Sequence, residues 1–190
     1  MNTSVGWLMK VLRVAGASFP GSSSLVQVQS ELDSLEMAKR LQELSDPISY
    51  LHKDVPEASK LIYENLRKED SATLDFSDEF YNKFSRPLAV LDSYGLISKK
   101  HGLGSRIPCG INLIDPSFIL YMCNLAEDHH KMQEITDIVD RCEPVLSLDG
   151  NTLKDIIRLP VTVIRAVFMV YESKGYGLVS KTIGRCQYIS

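Results

Sequence analysis

Val90-Leu91-Asp92-Ser93-Tyr94-Gly95 leads into Leu96-Ile97-Ser98-Lys99, and eighty residues later Val170-Tyr171-Glu172-Ser173-Lys174-Gly175 leads, after two extra residues, into Leu178-Val179-Ser180-Lys181. Each copy is an apolar helix end, an acid-serine pair, a glycine able to take the left-handed conformation that terminates helices, and an alternating strand carrying a lysine. The repeat predicts that Asp92 to Lys99 and Glu172 to Lys181 are equivalent, with Gly95 and Gly175 both ending helices. Tyr176-Gly177 reads as an insertion in the second copy.

Upstream of the first copy, Asp54-Val55-Pro56-Glu57 resembles a capping box with proline in the first turn, and Ala58, Leu61, Ile62 and Leu66 follow at helical spacing. Leu74 and Phe76 mark a short strand. Ser77-Asp78-Glu79 caps a second helix, and Arg86 to Tyr94 is the third, with Pro87 tolerated in its first turn. Leu96 to Lys100 and Arg106 to Ile114 form a hairpin around His101-Gly102-Leu103-Gly104-Ser105, in which Pro108 suggests an edge position.

Asp115-Pro116 is an N-cap with proline at the first helical position, and one long helix is expected from there. Phe118, Met122, Leu125, Met132, Ile135, Val139 and Cys142 give it a continuous apolar stripe. A short strand at Val145, Leu146 and Leu148 follows, then a cap at Asp149-Gly150-Asn151 and helices over Thr152 to Arg158 and Val161 to Lys174. Tyr176 to Ser190 closes the chain with a second hairpin.

The two runs of helix, strand, helix, helix and hairpin resemble the winged helix-turn-helix superfamily, present twice over about residues 54–190. The predicted fold class is therefore α+β, mainly α with small β wings. Two tandem winged-helix units, 48–114 and 115–190, are joined by a long helix and preceded by a helical extension over 1–47. The resemblance implies a DNA-binding or protein-binding role. It implies that Arg86 and Arg165 face a DNA groove and that Lys99, Lys100, Arg106, Lys181 and Arg185 lie on the wings.

Charge falls in blocks along a chain of net charge −3. Residues 28–80 carry thirteen acids against six bases and residues 107–153 eight against two. Residues 81–106 and 154–190 are each +4. Basic segments at matching places in the repeat suit phosphate neutralisation. The helix faces argue the other way. Arg86, Ala89 and Asp92 or Ser93 in one, and Thr162, Arg165, Met169 and Glu172 in the other, lack the Arg, Asn or Gln cluster that reads base edges. Phosphate contacts to double-stranded DNA, in a transcription regulator, are the leading expectation; a protein-interaction adaptor without nucleic-acid binding is the alternative.

The extension carries Trp7, Leu8 and Leu12 on one short helical face and Leu32, Leu35 and Leu41 on another, separated by Phe19-Pro20-Gly21. Packing on the chain's own core, docking to another chain or a second copy, and membrane-surface binding through Lys10 and Arg13 are its three readings, the last the weakest. The four cysteines show no C-x-x-C pair, which predicts reduced thiols and no zinc ribbon. Glu127-Asp128-His129-His130 has adjacent residues pointing in different directions, so a packed histidine is favoured over a metal ligand. With no nucleophile elbow, phosphate loop or dinucleotide fingerprint, no enzyme activity or cofactor is expected. Apolar runs are too short to cross a bilayer, and a cytoplasmic location is the default.

Overall fold

The computed structural model describes residues 48–49, 51–102, 104, 107–126, 128–143, 146–180 and 186–190. The first half holds α1 (Val55–Glu69), β1 (Thr73–Asp75), α2 (Asp78–Lys83), α3 (Ser85–Ser93), β2 (Ile97–His101) and β3 (Pro108–Leu113). The second holds α4 (Pro116–Leu125), α5 (His129–Asp140), β4 (Ser147–Asp149), α6 (Gly150–Ile157), α7 (Val161–Ser173), β5 (Leu178–Val179) and β6 (Gln187–Ile189). The chain is thus α+β, with seven helices and two small antiparallel sheets among the described residues. Strand order is β1-β3-β2 in one sheet and β4-β6-β5 in the other. From α5 onward the second half repeats the element order of the first, and α4 is the extra helix.

Local sequence accounts for the starts of three of the seven described helices. Ser77 accepts the Phe80 amide at the start of α2, and Asp115 accepts the Phe118 amide at 2.8 Å ahead of Pro116 in α4. Asp149 caps α6 by accepting the amide of Thr152. The capping box expected at Asp54 does not form. Its side chain makes no cap bond, and its amide instead donates to His52 Nδ1 at 3.2 Å, while Pro56 does occupy the first turn of α1. Pro108 opens the central strand, not an edge strand. It is tolerated because β1 pairs only with Gly110 to Asn112 and stops short of it.

The expected single long helix is two helices. α4 ends at Leu125 and α5 begins at His129, because Asp128 turns into the interior. Its amide bonds back to the Cys123 carbonyl at 3.2 Å, a helix-closing contact. Its carboxylate is held by Tyr63 Oη at 3.0 Å and Lys131 Nζ at 2.7 Å.

The break lets the two pieces pack differently. α4 buries seven consecutive residues, Ser117 to Cys123, because α1 and α7 both pack on it. A helix apolar all round belongs at such a seam. α5 buries Met132, Ile135 and Val139 along one stripe. One apolar cluster, including Ile48, Leu66, Phe118, Phe168 and Tyr188, runs through both halves. Among the described residues no helix is long and apolar enough to cross a membrane.

Candidate interaction surface

The two copies of the helix-glycine-strand segment are built alike, bond for bond. Ser93 Oγ donates to the Val90 carbonyl and Ser173 Oγ to the Val170 carbonyl, each at 2.7 Å. Gly95 and Gly175, at φ 70 and 78, donate to the Asp92 and Glu172 carbonyls, both at 2.9 Å. Leu96 then bonds back to Leu91, and Tyr176 to Tyr171. The acid closes each unit. Asp92 Oδ1 accepts the amide of Lys99 at 3.4 Å, and Glu172 Oε1 accepts the amide of Val179 at 3.0 Å.

These bonds remove the supposed insertion. Asp92 and Glu172 each reach seven residues on, so Lys99 corresponds to Val179 and not to Lys181. Sheet register agrees. Thr73, Asn112 and Ser98 lie side by side across the first sheet, and Ser147, Ile189 and Leu178 across the second. Leu178 therefore stands where Ser98 stands, not where buried Leu96 does. Room for this register comes from Gly177. A Cβ there would lie 2.6 Å from Cζ of Tyr188, whose ring fills the second sheet's inner face.

The corrected register exposes a difference between the sheets. On the first, the outer row is polar, and Thr73 Oγ1 donates to Asn112 Oδ1 at 2.8 Å. On the second, Leu178 is 67% exposed and its cross-strand partner Ile189 47% exposed. Tyr176 and Leu146 are exposed at the margins of this sheet. An adjoining pair of bare aliphatic side chains on a strand ladder is a feature of binding surfaces.

The residues expected to meet nucleic acid are distributed differently. Arg86 on α3 and Lys100 on β2 are exposed. Lys99 Nζ lies 3.7 Å from Asp92, within its own unit. Arg165 is half-buried on α7, and its guanidinium donates to the Ser180 carbonyl at 3.4 Å. Thr162, also on α7, donates through its amide to Asp70 at 3.1 Å. Thus Thr162, Arg165 and Glu172 all make bonds within the protein, and α7 buries Val163, Ile164, Ala166, Val167, Phe168 and Val170. Arg106, Lys181, Arg185 and the extension residues Trp7, Leu8, Leu12, Leu32, Leu35 and Leu41 lie outside the described residues.

Among the described residues no group of three or more His, Cys, Asp or Glu side chains could hold a metal ion. Cys123 and Cys186 are buried, and burial pushes their thiols up to about 12 and about 11. Cys109 is exposed and Cys142 half-buried, all four being free thiols. Sequence reading missed Leu178 and Ile189 as surface residues because alignment by residue type matched Leu178 to Leu96. No family model, curated protein or solved structure matches the chain.

Proposed function

We propose that this chain is a non-enzymatic protein-interaction adaptor built from two tandem winged-helix units, docking a partner on the outer face of its second sheet. The repeated order of helix, strand, two helices and hairpin, with the last strand central in each sheet, supports the winged-helix assignment. The observation that carries the function is the exposed Leu178–Ile189 pair, where the first sheet has Ser98 and Asn112. The occupant is an apolar segment bearing acidic residues. Lys174 precedes the strand, and Lys181 and Arg185 fall in the sequence joining β5 to β6, with no acid in 173–190 to offset them.

A DNA-binding regulator is the second reading. It is favoured by Arg86 and Lys100, which are exposed with no carboxylate at ion-pair distance among the described residues. The test compares wild type with Leu178→Asp/Ile189→Asp by quantitative affinity capture, alongside duplex-DNA titration at low salt. The adaptor reading expects an acidic, apolar partner segment lost with the double variant at unchanged melting temperature, and no duplex binding. Duplex binding that Arg86→Ala/Lys100→Ala abolishes, with the apolar variant behaving as wild type, overturns it in favour of DNA.

A further inference from the structure

A second surface lies at the junction of the halves, lined by none of the outer-row residues of the second sheet. The C-terminal end of α1 contributes Arg67, Lys68 and Asp70 to a cleft of about 370 Å³. α6 contributes Lys154 and Asp155, and the turn into α7 contributes Arg158, Leu159 and Pro160. Four cations thus face two carboxylates.

Asp70 is engaged within the frame. It accepts Lys154 Nζ at 2.7 Å, the Thr162 amide at 3.1 Å and the Thr162 hydroxyl at 3.3 Å. Arg67 lies 3.7 Å from Asp128. Lys68 and Arg158 are exposed, and neither has a carboxylate at ion-pair distance among the described residues. With Arg67 set against Asp128, three cations remain against Asp70 and Asp155, an excess of one, and Lys68 and Arg158 are the two whose side chains are left for a ligand.

Backbone conformation singles out the same place. Among the described residues only Asp70 and Arg158 are non-glycine residues with positive φ, at 47 and 60, and both line this cleft. Each ends a helix in the left-handed conformation, where glycine is the unstrained choice. A non-glycine side chain at such a position is a reason to look for what it does there. For Asp70 that use is visible in its bonds to Lys154 and Thr162. The Arg158 side chain has no ion-pair partner among the described residues.

We propose that this cleft binds a phosphate monoester, with Arg158 presenting its planar guanidinium to two phosphate oxygens and Lys68 supplying a second charge. Bidentate geometry is the reason an arginine serves here better than a lysine. Lys154 is fixed by Asp70 at the rim and adds a third donor, while Leu159 and Pro160 provide apolar walls for the group that carries the phosphate. This proposal is independent of the adaptor reading, since it concerns different residues.

The test titrates the full chain at low ionic strength with inorganic phosphate, O-phospho-L-serine and O-phospho-L-tyrosine, by calorimetry. Saturable binding is expected, with Arg158→Gly and Lys68→Ala each weakening it by about tenfold or more. Arg158→Gly relieves the backbone strain, so its melting temperature is expected to hold or rise while binding falls; misfolding cannot then explain the loss. Tighter binding of a phosphoamino acid than of inorganic phosphate assigns the ligand to a modified side chain of a partner. Equal affinities assign it to the free anion. Absence of saturable binding by all three probes, or binding that Arg158→Gly leaves unchanged, overturns the proposal. So does binding of duplex DNA through Arg158 with none of the monoesters.

Discussion

Tyr63 Oη donates to Asp128 Oδ2 at 3.0 Å across 65 residues of sequence, tying the middle of α1 to the break between α4 and α5. Burial of Asp128 alone would raise its carboxyl, but the Lys131 ammonium, the Tyr63 hydroxyl and Arg67 together hold it below the ordinary carboxylate value. A depressed acid contributes stability that is fully present above its unfolded value of about 3.9 and is lost as pH falls through the folded value. Asp128→Asn is expected to cost about 1–3 kcal/mol near neutral pH. Denaturant melts from pH 7 downward should show a shallower acid limb for this variant than for wild type. Parallel limbs would mean that other acids set the acid transition.

Gly177 and Tyr188 should be coupled. A methyl at 177 meets both the Ile189 carbonyl oxygen and the Tyr188 ring, and Gly177→Ala is expected to cost about 1–3 kcal/mol through overpacking. Register places Tyr188 where the first sheet has Ile111. Gly177→Ala/Tyr188→Ile should therefore lose less than the two single losses added together, as a double-mutant cycle in urea would measure. Simple additivity would refute the coupling to Tyr188 and assign the cost of the methyl to the Ile189 carbonyl.

Asp70 separates side-chain from backbone effects. Asp70→Ala removes the bonds to Lys154 and Thr162 yet keeps a Cβ in the left-handed region, whereas Asp70→Gly removes the bonds and the strain together. The alanine variant is expected to be the less stable of the two by about 1 kcal/mol. Thermal melts of both suffice, and equal losses would show that φ at this position carries no cost.

Arg165→Ala is expected to lower stability by about 1 kcal/mol through the lost bond to the Ser180 carbonyl and lost packing of its stem. Lys99→Ala, which breaks only a 3.7 Å surface pair with Asp92, should change stability by less than about 1 kcal/mol. Chemical denaturation of the two variants gives the comparison. A larger loss for Lys99 would reverse the assignment of Arg165 to the interior frame.

Signals contained within a turn or two were legible without the structure. Gly95 and Gly175 end helices because a glycine after an apolar helix run is sufficient cause, and Ser77 and Asp115 start them because a cap needs only an amide three residues on. The α+β class and the placement of most elements follow from the same local patterning. Asp54 shows the limit even at this range, since its amide is taken by His52 and the box does not close.

Long-range partners decided the rest. The apolar stripe from Phe118 to Cys142 is compatible with one helix, and it is Tyr63, distant in sequence, that helps hold Asp128 inside and divides it. Residue types align Leu178 with Leu96, but pairing with Ile189 and the Glu172–Val179 bond fix it opposite an outer-row position. Nor does composition say that Arg165 bonds to Ser180 while Arg158 stands exposed over a cleft. Sequence by itself determined the caps at Ser77 and Asp115 and the glycine stops at Gly95 and Gly175, because capping and glycine geometry act within a few residues. Only tertiary structure decided which side chains face solvent, because strand register and burial depend on partners that local spacing does not specify.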